Sequence, residues 1–179
     1  SAKQYTLSFY AKTNKTGTYI VNLLSRDNTA GGVSASYTVA NTNWNRYVVT
    51  FPADTNSNRK DNNDNGEALR VLWWFVAGSA VNSGTLNTSW ANSSDTGRAT
   101  GQLNFADSTS NIFYLTGCQL EVGSVATPFE HRSVGEEIQR CKRYFQRFSA
   151  YGDHHHFGVA RAEGNTARTG IVIPVPMRA

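Results

Sequence analysis

Three groups of residues in this 179-residue chain have the types and spacing to do chemistry. The first is Asp153-His154-His155-His156. On extended backbone alternate side chains share a face, so His154 and His156 point the same way, and a His-x-His pair repeated around a symmetry axis could hold one octahedral metal ion. The second is Asp61-Asn62-Asn63-Asp64-Asn65-Gly66-Glu67, in which Asp61, Asn63 and Asn65 set short oxygen side chains around a glycine turn, as in the first half of a calcium loop. An EF-hand also needs a glutamate six residues past the glycine, where Leu72 stands, so a turn before the next strand is the simpler reading. The third group is aromatic. Sugar recognition needs flat apolar rings that stack on pyranose C–H faces, together with amides or carboxylates that bond hydroxyls. Trp74 and Trp90 are the expected glycan platforms, whereas Trp73 belongs with Leu69, Val71 and Phe75 in the core and Trp44 plugs an edge of the fold.

Catalytic motifs are lacking in the sequence: there is no Gly-x-Ser-x-Gly elbow, His-Glu-x-x-His pair or phosphate loop. A glycosidase would need two facing carboxylates, one of raised pKa, and Asp54, Asp95, Asp107 and Glu121 are candidates only in being present. No catalytic residue and no enzymatic activity is expected.

These residues have to be positioned by strands. Only 17% of the chain is charged, while 39% is hydrophobic and 12% aromatic, with Ser, Thr and Asn clustered between β-branched and aromatic runs. Tyr5-Thr6-Leu7-Ser8-Phe9-Tyr10-Ala11-Lys12 alternates with period two, the mark of a half-buried strand, and residues 18–24, 35–39 and 46–51 read the same way between turn-rich clusters. Residues 69–77 are apolar on both faces from Val71 onward, so this strand is either covered twice or shows aromatics on an open face. Residues 78–107 form a long polar loop, of the kind that is commonly functional. Residues 111–123 close the set, with Gly117 marking a bulge or a close backbone approach. The expected fold is all-β, an antiparallel sandwich or jelly roll.

The period changes across Thr127-Pro128. A helix is expected over 133–148, with Ser133 as N-cap, Glu136 completing a capping box, and Val134, Ile138, Cys141, Phe145 and Phe148 in one apolar stripe. Residues 157–162 and 171–175 then read as a hairpin turning at Gly164-Asn165, with Pro174 and Pro176 confining its second strand to an edge. Cys118 and Cys141 are too few for a zinc site and are expected to be buried, unpaired thiols. The net charge of +4 lies wholly after Glu130, since nine basic and nine acidic residues balance before it. A neutral body with a short basic segment is a poor phosphate-binding footprint, so no nucleic acid is expected as a partner. No run approaches the roughly 20 apolar residues of a membrane helix, so no membrane insertion is expected.

The segment Gln119-Leu120-Glu121-Val122-Gly123, continuing to Ala126-Thr127-Pro128-Phe129-Glu130 and then Cys141-Lys142-Arg143-Tyr144-Phe145, closely resembles one recurrent in bacteriophage tail-fibre and other virion proteins. There it closes a jelly roll similar to carbohydrate-binding modules. Tyr5 to Lys12, Trp44 with Tyr47-Val48-Val49-Thr50-Phe51-Pro52, and residues 69–79 match the same family in the same order, so the resemblance covers roughly residues 5 to 148. It implies a virion structural or host-attachment role in a tail fibre or similar appendage, assembled in the host cytoplasm. Its partners would be further copies of the chain in a homotrimer, other virion proteins and a host surface glycan. In that family one or two strands usually precede the equivalent of Tyr5, so the jelly roll is expected to lack its first strands. Hydrolase-associated modules of this shape carry a carboxylate on the closing strand that helps hold a structural calcium, whereas Leu115-Thr116-Gly117-Cys118 offers none. The resulting expectation is a jelly roll over 1–130, a connector with the amphipathic helix over 131–152, and the start of a second β element over 153–179. Val134, Ile138, Phe145 and Phe148 would serve assembly, and a trimer would bring the His154 and His156 pairs together as in some phage fibre tips. The rival is a carbohydrate-binding module of a secreted glycan-degrading enzyme.

Overall fold

The alternating stretch at the start of the chain becomes a strand with its odd-numbered side chains turned inward: Leu7, Phe9, Ala11 and Thr13 are all buried. The computed structural model describes residues 3–27, 31–56, 66–92, 95–146, 160–163 and 166–169. The chain divides into two compact units, Ser1–Phe129 and Glu130–Ala179.

The first unit is a mostly antiparallel β-sandwich. One sheet has the order β4-β1-β7, formed by Asn45–Phe51, Tyr5–Thr13 and Phe113–Val122. The other has the order β5-β2-β3-β6, formed by Leu69–Trp74, Gly17–Ser25, Gly31–Val39 and the short Ala91–Asn92. Between them the rings of the inner faces interlock. Phe9 stands edge-on to Tyr37 at 5.0 Å and to Trp73 at 5.6 Å, and Tyr19 stacks on Tyr37 at 5.6 Å. Each such fully buried large side chain contributes about 1.5–3 kcal/mol through the area it removes from water. The Tyr37 hydroxyl is the exception to good packing: buried with no hydrogen-bond partner among the described residues, it has a pKa raised well above the ordinary phenol range.

Two glycines shape the sheets. Gly32 falls within β3 rather than in the turn that its sequence suggests, because β3 runs under Leu24, where any Cβ would collide with that side chain. Gly117 forms the expected bulge: Ser8 pairs with Gln119 and Tyr10 with Thr116, so β7 carries one extra residue, and Gly117 takes φ +58° to absorb it. The bulge resets the alternation. Phe113 and Leu115 face inward before it, and Cys118, Leu120 and Val122 face inward after it, because register partners share a face and Leu120 pairs with Leu7.

The long polar stretch lies across the outer face of the second sheet, where Leu103 N–H donates to Thr18 O, Ser34 N–H to Asn87 O, and the Arg98 carbonyl accepts from both Asn22 and Ser34. Its described residues include three short helical turns, α1 at Ser79–Asn82 and 3-10 turns at Asp95–Gly97 and Phe105–Asp107. This cover explains why Ile20, Asn22 and Leu24 on the outer face of β2 are buried along with Tyr19, Val21 and Leu23 on the inner face.

In the second unit the helix, α2, spans Val134–Lys142 and is shorter than the apolar stripe suggests. Ser133 Oγ accepts from Glu136 N–H at 3.2 Å, the N-cap half of the expected capping box, while the Glu136 carboxylate bonds Arg140 at 2.9 Å rather than reaching back to Ser133 N–H. The helix ends where the Cys141 carbonyl accepts from both Tyr144 and Phe145. A hairpin follows, Ala160–Glu163 (β8) with Thr166–Thr169 (β9), so the second strand precedes the Ile171 to Val175 stretch expected for it.

Candidate functional site

Both tryptophans expected to stack on sugars donate their indole N–H inside the fold. Trp74 lies on the outer face of β5, where Nε1 donates to Oδ1 of the buried Asn22 and the Arg98 guanidinium sits over the ring, 5.3 Å from its centroid. Trp90 donates to the Pro52 carbonyl at 2.7 Å and packs, half-buried, against the core. Leu69, Val71, Trp73 and Phe75 pack on the core as their pattern predicts.

Trp44 corrects the expectation that it plugs an edge. It is 48% exposed, and its ring lies 6.2 Å from that of Tyr114, itself 50% exposed. The signal for this was its setting, a polar turn of Asn41, Thr42, Asn43 and Asn45. In that turn Asn41 Oδ1 accepts from Asn43 N–H at 3.0 Å and from Asn45 Nδ2 at 2.8 Å, which fixes the entry into β4.

The thiols correct a second expectation. Cys118 and Cys141 are unpaired, but both are exposed. Cys118 lies on an edge strand. β7 ends one sheet and β5 ends the other, and among the described residues each pairs on one side only. Between them runs an apolar cleft of about 610 Å³ lined by Val71, Leu72, Trp73, Phe75, Phe105, Phe113 and Leu115. Leu115, Leu120 and Val122 on the inward face of β7 are accordingly exposed although they point toward the sandwich interior. Partial burial pushes the Cys118 thiol pKa up.

Two of the four carboxylates that a glycosidase reading would use, Asp107 and Glu121, are shifted away from the raised pKa of a general acid. Lys15 and Asn111 bond Asp107, and Thr127 and Gln119 act on Glu121, so each lies below the ordinary carboxylate range, whereas an acid needs a raised one. Among the described residues no cluster of three or more His, Cys, Asp or Glu is placed to hold a metal ion. Asp61, Asn63, Asn65, His154 and His156, the residues proposed for calcium or another metal ion, lie outside the described residues, as does Phe148. Val134, Ile138 and Phe145, the described members of the assembly stripe, are exposed.

A polar constellation lies at the exit of β7. The Glu121 carboxylate, the Gln119 amide and the Arg46 guanidinium all bond Thr127. The chain after the last strand is thereby returned across the outer face of its own sheet, where Phe129 lies near Gly117 beside Tyr10. No family model, no curated protein and no solved structure matches the chain.

Proposed function

We propose that the chain is part of a phage virion appendage, a tail fibre or similar structure, in which a jelly roll of the carbohydrate-binding-module kind serves host attachment and the segment after Glu130 serves assembly into a homotrimer. The observation that carries this reading is the bonding around Thr127. The Gln-Leu-Glu-Val-Gly to Thr-Pro-Phe-Glu stretch, which bears the resemblance to virion proteins, spends its Gln119, Glu121 and Thr127 side chains on holding the chain against the sandwich wall. A module tied down in this way hands its direction of exit to whatever follows, as a repeated appendage requires. The exposed apolar side chains Val134, Ile138 and Phe145 support the assembly role.

Immunogold labelling of purified particles with antibodies raised against residues 1–129 tests the location. Gold on a discrete appendage is the expected result. Gold absent from particles, with the protein secreted in soluble form and joined to a hydrolase, would replace this reading with that of an enzyme-borne module. Light scattering of the purified chain tests the assembly: a trimer mass that falls on Ile138→Asp with Phe145→Asp supports it, and a monomeric parent overturns it.

A further inference from the structure

We propose that Trp44, Tyr114 and Lys12 form a binding site for an acidic saccharide, a pyranose carrying a carboxylate. The proposal rests on the adhesive part of the function proposed above and gives it a place and a ligand class.

Strand register assembles the site. Ala11 pairs with Asn45, so Trp44, one residue earlier, falls in the row of Lys12, and Lys12 pairs with Tyr114 across β7. These three residues therefore form one row across the outer face of β4, β1 and β7. Partners in such a row have Cβ atoms roughly 5 Å apart, which is how rings from β7 and from the entry to β4 meet above the end of β1. The next row on the same face is Arg46, Tyr10 and Thr116, with Tyr10 37% exposed. Two rows are separated by roughly 7 Å along a strand, a length comparable with one or two sugar rings.

The chemistry of these rows is one-sided. The Trp44 and Tyr114 rings are each about half exposed, an arrangement that leaves apolar ring surface for a pyranose C–H face to cover. The Lys12 side chain is exposed and makes no hydrogen bond or ion pair among the described residues, whereas Arg46, in the next row, is half-buried and already bonds the Thr127 carbonyl. Neither row contains a carboxylate: Asp107, carried by the loop before β7, is already paired with Lys15, and Glu121, farther along the same face of β7, is spent on Thr127 and lies within reach of the Arg46 charge, so Lys12 is the cation left without a counter-charge in these rows. A ligand that offers an apolar ring face and a negative charge together complements this surface, and a neutral sugar complements only half of it. Asn43, exposed beside Trp44, adds an amide for a hydroxyl.

The four tryptophans make the test specific. Trp74 and Trp90 donate their N–H internally and the Trp73 N–H is buried, so Trp44 alone should report a surface ligand. Methyl glycosides of glucuronic and galacturonic acid, and the corresponding neutral glucosides and galactosides, are titrated against the full chain while the indole N–H resonances are followed by NMR. The resonances are assigned with Trp44→Phe. The expected result is a shift confined to Trp44, with at least one acidic glycoside bound about five-fold more tightly than its neutral counterpart, a preference that disappears in 1 M salt and in Lys12→Met. Trp44→Ala should weaken binding of that glycoside by about five-fold or more at unchanged far-ultraviolet circular dichroism. No response at Trp44 to any of these sugars, a response at Trp74 or Trp90 instead, or equal affinity for acidic and neutral sugars overturns the site. These outcomes are separate from the particle labelling: a labelled appendage with a silent Trp44 keeps the location and loses the site.

Discussion

The carboxylate of Glu121, next to last in β7, accepts two hydrogen bonds from Thr127: one from its backbone N–H at 3.0 Å and one from its hydroxyl at 2.6 Å. A carboxylate with two oxygens fits this pair of donors, and the six-residue separation forces residues 122–126 into a closed turn. Gln119 reaches the same hydroxyl at 3.0 Å, and Arg46 from β4 bonds the Thr127 carbonyl. All three bonding side chains lie on the outer face of the sheet, so the turn doubles the chain back over the wall it has just left.

This geometry sets an acid limit on stability. Hydrogen bonding from Thr127 and Gln119, helped by the Arg46 charge, lowers the Glu121 pKa; Lys15 and Asn111 lower that of Asp107, and Arg70 lowers that of Glu67. A carboxylate lowered on folding binds protons more readily in the unfolded chain. Its contribution is therefore complete above the unfolded value of about 4 and is lost as pH falls through the folded value. The melting temperature of the sandwich should be level from pH 8 to about 5 and fall below about 4. Glu121→Gln should start lower and show a shallower acid limb. A parent that loses stability between pH 8 and 6 would show that other groups control it.

The bulge predicts a cost for any side chain at Gly117. Its φ of +58° disfavours L-residues by about 1–2 kcal/mol, and a Cβ there would stand 3.0 Å from the Tyr10 ring. Gly117→Ala should therefore lower the melting temperature by several degrees, and Gly117→Asn by less, because asparagine tolerates this backbone region. Equal stability of all three chains would mean that the register at Ser8 and Tyr10 is not as described.

The sandwich is legible in the sequence where one face of a strand is buried, because only there does burial impose period two. Residues 5–12 alternate apolar and polar in this way, although the outward Thr6 and Ser8 are buried as well, under the chain that returns after β7. The start of β3 is not legible, since Gly31 and Gly32 carry the same turn signal whether they turn or lie under Leu24. Trp44 is misread for a related reason: a lone tryptophan among asparagines gives no sign of its partner, and Tyr114 reaches it only through register with β1. Asn22 falls at an outward position that alternation assigns to solvent. Nothing local reveals that residues 97–103 will cover it.

The exposed thiols should react in the native state. Cys118 and Cys141 are both accessible, so a maleimide should label two sites per chain without denaturant. Reaction needs the thiolate, and the raised pKa of Cys118 keeps its thiolate fraction below that of an ordinary cysteine at neutral pH. Peptide mapping should find Cys118 labelled slowly, with a rate that climbs through and beyond the usual thiol range near 8.5. Protection of Cys118 at every pH would show that this edge of β7 is covered in solution.

Asn22 should carry more stability than its size suggests. Its amide is buried in the outer layer of the second sheet, donating to Ser34 Oγ and to the Arg98 carbonyl at 3.0 Å and accepting from Trp74 Nε1. Asn22→Ala removes all three bonds and leaves the indole N–H and the Arg98 backbone to find other partners, of which the Arg98 carbonyl keeps the Ser34 hydroxyl. A buried polar group left unmatched costs about 1–3 kcal/mol, so the variant should melt at lower temperature by that equivalent. Asn22→Leu, which keeps the volume, should recover little, because the loss is in hydrogen bonding rather than in packing. Trp74→Phe completes the comparison. It removes the same N–H while keeping a ring under Arg98, and if Trp74 serves the fold, it should destabilise less than Asn22→Ala and leave saccharide binding at Trp44 unchanged. Wild-type stability in Asn22→Ala, or loss of saccharide binding in Trp74→Phe, would return Trp74 to the ligand site and remove it from the structural role that its bonds describe.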